Sequence, residues 1–556
     1  MNNDKINICL NGQNLLIDKG TKIEELVRGK KGKKDSLIVA ALVNNEIKEL
    51  TYRIEHECNI NYVDLTSEDG IRIYQRSLTF LLVKAIHDLF PEKEVQIRHS
   101  VSRGIFFEIL NYKVTPEDAQ RIQKRMQELI EENKEFMKVT LPIDEARQIF
   151  LKKGREDRYR LIKHREKDYV SLYILDDVED YFYGYMVPST GYLKLFRIEA
   201  HHDGIVLMTP KKEFPNEIPE VSIPMKLFGI FTEYSDWLSI LGVEDVGNLN
   251  DVVESGKIGE LVLIAEALHE KKIARIADLI KHNQPHKRVI LIAGPSSSGK
   301  TTFAQRLSVQ LRVNGLTPLN ISVDDYFVEK HRTPLDEDGK PDYEALETVD
   351  LELFNRDINT LLNGGEINLP TYNFVTGKRE YNGRKLKLED GQVLVIEGIH
   401  ALNPRLTSEV AQENKFNIYI SAITSMRIDM HNRIPTTDLR LLRRIVRDNR
   451  YRGTPAPKTI DMWPSVRRGE ERNILPFQEE ADVMFNSSLI YELSMIKPLA
   501  VPLLQEITPE QPQYAEARRL LEFLSYILAA PSDKVPMNSI LREFLGGSVF
   551  NADDHS

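Results

Sequence analysis

The chain has 556 residues, more than one hydrophobic core serves, and roughly three to four domains are expected at about 150 residues each. Hydrophobic residues make up 41% and charged residues 28%, an ordinary globular balance that excludes wholesale disorder. A formal charge of −10 and only two cysteines, Cys9 and Cys58, exclude a generally basic nucleic-acid coat, a disulfide framework and a Cys-rich zinc module.

The opening segment MNNDKINICL lacks the cationic start and long apolar core of a secretion signal, and no apolar run reaches the length of a membrane span. A cytoplasmic protein with no membrane partner is therefore expected. Residues 1–66 read as a small β-rich unit. INICL and NLLI meet at an Asn11-Gly12 turn, SLIVAALVNN and NINYVDL follow as strand-like runs, and RGKKGKK at 28–34 is read as a solvated loop. Residues 67–212 begin a mixed pattern. From Ser77, SLTFLLVKAIHDLF has apolar residues at three- and four-residue spacing. Thr115 at N-cap, Pro116 at N1 and Glu117-Asp118 in the first turn start a second helix that runs to about Glu132. A third starts near Ile143, and strand-like segments alternate from Tyr169 to Met208. His201-His202-Asp203-Gly204 is read as a turn rather than a metal site, since Asp-Gly favours turns.

The polar, proline-bearing KKEFPNEIPE marks a boundary. Residues 213–286 follow as a helical linker. Residues 287–506 have the texture of α/β proteins, with short buried strands, Gly-rich turns and helices. Residues 507–556 form a helical tail with an amphipathic AEARRLLEFLSYILAA and a disordered NADDHS end.

The strongest motif is VILIAGPSSSGKTTFAQRL, in which Gly294, Gly299, Lys300 and Thr301 fit G-x-x-x-x-G-K-[ST] between a buried strand and a helix. Glycines let the backbone curl so that its N–H groups meet phosphate oxygens, and the helix adds its positive end. Nucleotide phosphates are placed on Gly294, Ser296, Ser297, Ser298, Gly299, Lys300, Thr301 and Thr302. Lys300 reaches the terminal phosphates and the Thr301 hydroxyl ligates Mg²⁺. PLNISVDDYF ends in Asp324-Asp325, placed to take a proton from a substrate hydroxyl, and VLVIEGIHAL places Glu397 at a strand end, where it suits Mg²⁺. In DLRLLRRIVRDNRYRG, Arg440, Arg443, Arg444 and Arg447 lie three or four apart. Such a face repels itself unless an anion sits opposite, and it is read as a closing lid that neutralises phosphoryl charge.

In order, GPSSSGKTT, SVDDYF, PTYNFVTGKR, VIEGIHAL and DLRLLRRIVRD resemble the uridine kinase and phosphoribulokinase group of P-loop kinases. The resemblance implies a parallel-sheet kinase that uses ATP and Mg²⁺. It makes Asp324 the catalytic base and Glu397 the Mg²⁺-associated acid, with Arg440 and Arg443 as lid arginines. Glu344, Tyr372 and Arg379 would line the substrate site, with a nucleoside as acceptor. Gly377 stands where uridine kinases carry a base-reading histidine, which removes that hydrogen-bonding side chain.

Residues 1–66 resemble the TGS domain, a β-grasp-like unit, of threonyl-tRNA synthetase. Residues 67–212 resemble its α+β second additional, or editing, domain, through SLTFLLVKAIHDLFP, GIFFEI, DEARQIFLKKG and GYMVPSTGYLKLFRI. Arg76, Phe80, Phe182 and Met186 stand at that domain's histidine and cysteine positions, so its metal-assisted chemistry is lost. The region is thus expected to be a non-catalytic binding or regulatory module, open to RNA or a nucleotide, and homo-oligomerisation is left open. Rival readings are an RNA- or translation-associated regulatory NTPase and a kinase of a non-nucleoside sugar or acid.

Overall fold

The computed structural model describes residues 5–550 apart from 102–103, 221–223, 284–286, 337–338 and 374–375. NADDHS therefore lies outside the described residues, as do Phe374 and Val375 of PTYNFVTGKR. Asn11 and Gly12 take φ of 47° and 83°, the geometry that matches strand twist in a two-residue hairpin, and they join Lys5–Leu10 to Gln13–Asp18. Asn44 and Asn45, at 48° and 63°, close a second hairpin between Ile38–Val43 and Glu46–Glu49. Cys58–Asp64 fits between the hairpins, parallel to the first strand and antiparallel to Ile38–Val43. The short helix Ile23–Val27 packs Ile23 and Val27 against Ile8 and Leu10. The result is a β-grasp-like unit.

The next helix starts well before Ser77, at Glu68, and runs to Leu89. Ser67 caps it by accepting from the Gly70 N–H, with Glu68 and Asp69 in the first turn. Its early start hides in sequence because the first turn carries no apolar stripe. Leu78, Leu81 and Leu82 pack against Ile97, Phe107, Ile205 and Leu207 of a four-stranded antiparallel sheet. Thr115 caps Pro116–Glu132 as the sequence indicates, accepting from the Asp118 N–H. His202, with φ of 48°, forms the turn between Arg197–His201 and Gly204–Met208. The Asp203 carboxylate pairs with Lys113, and His201 packs edge-on to Phe228. Among the described residues, neither histidine joins a group of three side chains within reach of one metal ion.

The carboxy-terminal half is built on five parallel strands in the spatial order Thr317–Ser322, Gln392–Glu397, Val289–Ala293, Lys415–Ser421, Val483–Asn486. Strands with helices on both faces are buried on both sides, which explains the unbroken apolar runs VILIA and VLVI. Lys300–Val313 and Ile258–His282 cover one face, through Phe303, Leu307, Ile273 and Ile276. Leu351–Leu362 covers the other through Phe354 and Ile358. The helix Ile258–His282 before the phosphate loop thus packs on this sheet.

The tail also differs from expectation. Its helix is Tyr514–Leu524 and stops before YILAA, because Asn250 captures the backbone there: it donates to the Tyr526 carbonyl and accepts from the Leu528 N–H. Tyr526, Ile527 and Phe544 then join a single apolar cluster with Leu161 and Tyr181 of the second unit and Leu441 and Ile445 of the carboxy-terminal half. A buried ionic cluster spans the same boundary. Arg158, 1% exposed, pairs with Asp180 at 2.5 Å and meets His431 Nδ1 at 2.8 Å. The two halves therefore share one core. No helix among the described residues is long and apolar enough to cross a membrane.

Candidate active site

The loop between Val289–Ala293 and Lys300–Val313 is shaped by its glycines. A Cβ on Gly294 would lie 2.0 Å from the Ile420 carbonyl oxygen, and Gly299, at φ 83°, would press one to 2.4 Å from Ile540. Gly299 is also the N-cap of the helix, so its conformation aims the first turn's N–H groups into the loop. Lys300 Nζ folds back to the carbonyls of Gly294 (3.0 Å) and Pro295 (3.4 Å). The buried hydroxyls of Ser297 and Ser298 have no hydrogen-bond partner among the described residues. Such unsatisfied polar groups suit an anion in the loop.

Carboxylates gather at the carboxyl ends of the neighbouring strands. Glu397 Oε1 accepts from Ser322 Oγ at 3.1 Å and from Thr301 Oγ1 at 3.4 Å. Burial and the nearby Asp324 push Glu397 up to about 7, against the pull of Lys300. Asp324 is raised by burial, opposed by Lys300, Arg452 and Arg447. Glu344 is pushed up to about 7 by burial, opposed by Arg444, and its Oε2 has no hydrogen-bond partner among the described residues. Lys300 is lowered by burial and held up by Glu397, Asp324, Glu543 and Glu344. One ammonium thus sits among four acids.

This charge pattern makes stability depend on pH. Asp245 and Asp429 are each pushed up to about 6, chiefly by burial, and Glu344 and Glu397 to about 7. A carboxyl whose folded pKa is raised costs stability when ionised, so that cost disappears as pH falls from 8 through these values. Asp180 behaves oppositely. Arg158 and His431 outweigh burial and hold it well below the usual carboxylate range, so it stabilises above its unfolded value of about 4 and the benefit is lost on further acidification. Buried neutral His99, His269 and His400, all lowered chiefly by burial, oppose this gain, because the unfolded chain takes up protons on them below about pH 6.5. The carboxyl contribution is therefore read as a difference: by scanning fluorimetry, the melting temperature of ligand-free Glu397→Gln relative to the parent is expected to rise between pH 5.5 and pH 8. A difference that does not change with pH contradicts this assignment.

The arginine helix requires a correction. Thr436–Arg452 is a buried core element, with Leu439, Leu441, Leu442 and Ile445 inside, not a lid over the phosphates. Arg440 and Arg443 are 2% and 0% exposed. Arg440 forms a two-pronged pair with the fully buried Glu470 and donates to the Ser296 carbonyl at 2.9 Å. Glu470 also accepts from the Ser296 N–H at 3.0 Å and from Arg467 at 2.7 Å. Arg443 pairs with Glu492 at 2.6 Å and donates to the carbonyls of Ser487 (2.9 Å) and Ser297 (3.4 Å). The anions opposite the arginine face are therefore carboxylates, and the two arginines clamp the phosphate loop from behind. The cations that act on the reaction-side acids are Arg444 on Glu344, with Arg447 and Arg452 on Asp324. Arg444 also donates to Ser296 Oγ at 2.8 Å.

Glu344 lies near Lys300 and Asp324, which act on its charge. Tyr372 and Arg379 oppose each other across the hairpin of Thr371–Asn373 and Lys378–Glu380. Arg379 pairs with Asp350 at 3.0 Å, and Tyr372 packs edge-on to Phe327. Gly377 takes φ 68°, and a Cβ there would lie 2.8 Å from Lys330 Cβ, so the position is a tight turn in which a side chain is strained and crowded. Sequence reading also missed Glu543. It accepts from Thr302 Oγ1 at 3.0 Å, bringing the tail onto the phosphate loop, and no local spacing announces a contact across 241 residues.

In the second unit, Phe80 and Phe182 are buried with ring centroids 5.1 Å apart, and Met186 is buried beside them. The positions are filled by packing.

Residues 289–492 match the model of the Phosphoribulokinase / Uridine kinase family. The amino-terminal region is similar to threonine–tRNA ligases. The enzyme of Thermotoga neapolitana is 31% identical over 199 residues, covering 35% of this chain and 30% of that protein. That of Clostridium kluyveri is 27% identical over 190 residues, covering 34% and 30%. The chain thus spans about 30% of the length of these curated relatives. Among solved structures, a "Possible Uridine Kinase" from Bacillus stearothermophilus overlaps 39% of this chain and 98% of its own, at 23% identity and a TM-score of 0.27. D-glycerate 3-kinase from Cryptococcus neoformans overlaps 50% and 89%, at 13% identity and a TM-score of 0.19. Behind an amino-terminal region similar to threonine–tRNA ligase, the chain thus carries, at residues 289–492, a domain that matches the Phosphoribulokinase / Uridine kinase family model.

Proposed function

We propose that residues 287–506 transfer the γ-phosphoryl group of ATP to a hydroxyl of a small molecule, with a nucleoside as the leading acceptor, in the cytoplasm. The observation that carries this reading is the gathering of Asp324, Glu397, Glu344 and Lys300 around one phosphate loop. The Thr301 hydroxyl and Glu397 carboxylate, 3.4 Å apart, are the hard oxygen donors that would hold Mg²⁺. When bound, Mg²⁺ offsets phosphate charge and aligns the terminal group. Lys300 turns its ammonium from the loop carbonyls to the phosphate oxygens. Asp324 accepts the proton of the attacking hydroxyl, and the unpartnered oxygen of Glu344 takes a hydrogen bond from a neighbouring hydroxyl of the acceptor.

The test is product analysis. The full chain is incubated with ATP, Mg²⁺ and a panel of nucleosides and sugars. A phosphorylated acceptor is expected from the parent, with a rate about 10²–10³-fold lower in Lys300→Ala. ADP formed with no phosphorylated acceptor, and formed faster with RNA, would replace this reading by a regulatory NTPase.

A further inference from the structure

A second cavity, of about 240 Å³, lies far along the chain from the phosphate loop and is walled by three parts of it: Glu46 and Ile47 of the first sheet, Arg76 and the 181–185 segment of the second unit, and Arg518 and Glu522 of the tail helix. Its chemistry is cationic and aromatic. Arg76 is held in place by a 2.7 Å bond to the Tyr185 carbonyl and by the Tyr183 ring, 5.7 Å away. No carboxylate of the described residues pairs with it; its charged neighbours Arg519 and Arg72 are cations. The site is built around this guanidinium. Gly184 has φ of 108°, and a Cβ there would lie 2.6 Å from Arg76 Cζ. Arg518, half-exposed, meets only a loose counterion in Glu46 at 3.8 Å. By contrast, Arg72, Arg165 and Arg519 are each matched to carboxylates at about 3 Å or less.

A guanidinium with no counterion in a recess is a receptor for an anion, and its planar fork fits phosphate oxygens in pairs. Tyrosine faces beside it suit a flat ring. We propose that this cavity binds a nucleoside monophosphate, with the phosphate between Arg76 and Arg518 and the base against Tyr183 and Tyr185. The proposal does not depend on which acceptor the phosphate-loop domain uses.

Isothermal titration of the full chain, with its phosphate loop saturated by Mg²⁺ and a non-hydrolysable ATP analogue, tests it. AMP, CMP, GMP and UMP are titrated beside inorganic phosphate and the four nucleosides. At least one monophosphate is expected to bind at a site that depends on Arg76 and Arg518, and at that site phosphate alone and nucleoside alone bind at least tenfold more weakly. Arg76→Gln and Arg518→Glu should each weaken it at least tenfold, while Glu344→Gln leaves it unchanged. Arg518 is at the surface, so its variant decides the matter if Arg76→Gln folds poorly. The proposal is overturned if no monophosphate binds, if both arginine variants bind normally, or if Glu344→Gln alone abolishes binding, which would place the nucleotide in the acceptor site. Binding of a CCA-ended RNA at these arginines with no monophosphate bound would equally overturn it.

Discussion

Glu470→Ala is expected to lower the thermal midpoint by on the order of 10 °C and to abolish ATP binding, although Glu470 touches no expected substrate. The carboxylate is fully buried and holds Arg440, Arg467 and the Ser296 N–H together. Removing one member of a buried ion pair leaves the other charge without compensation, which costs about 3–5 kcal/mol. In a domain of this size that corresponds to a shift of roughly 10 °C. The loop would suffer first, because Arg440 and Glu470 bond the Ser296 carbonyl and N–H from the same side. Replacing both partners, Arg440→Met with Glu470→Met, removes the stranded charge and should recover part of the stability but not the ATP binding. Scanning fluorimetry with and without Mg²⁺ and ATP separates the two effects. A Glu470→Ala chain that melts like the parent and is stabilised equally by nucleotide would show that the clamp is dispensable.

This clamp marks the limit of what could be read from sequence. The phosphate loop was legible because its strand, glycines, lysine and helix are contiguous. Asp324 and Glu397 were legible because both fall at the sheet's carboxyl edge, Glu397 as the last residue of Gln392–Glu397 and Asp324 two residues beyond Thr317–Ser322. The arginine periodicity was also real, and a charged face needs an anion opposite it. Yet Glu470 and Glu492 lie 30 and 49 residues from their arginines, and no spacing links them. With the partner invisible, the phosphate loop of the same domain supplied phosphate in its place. The Asn250 capture of the tail and the Glu543 contact with Thr302 are hidden for the same reason. Domain borders read from composition also could not show that Leu161, Leu441 and Phe544 share one core.

Asp324→Asn should leave ATP binding intact while turnover falls about 10²–10⁴-fold, the usual contribution of a positioned general base. The amide is nearly isosteric but cannot take a proton at neutral pH. The phosphate contacts assigned to Lys300, Thr301 and the loop amides are untouched, so KM for ATP should change little and kcat should carry the loss. The neighbouring acid provides the contrast. Glu397 bonds Thr301 and Ser322, so Glu397→Gln should act mainly on the Mg²⁺ concentration needed for half-maximal rate. If instead Asp324→Asn shifts the Mg²⁺ titration and extra Mg²⁺ restores its rate, Asp324 is an ion-associated acid and the base lies elsewhere. Burial raises Asp324, whereas Lys300, Arg452 and Arg447 pull it down. The net shift is upward, so the carboxylate is a stronger base than an exposed aspartate, which suits it to accept a proton.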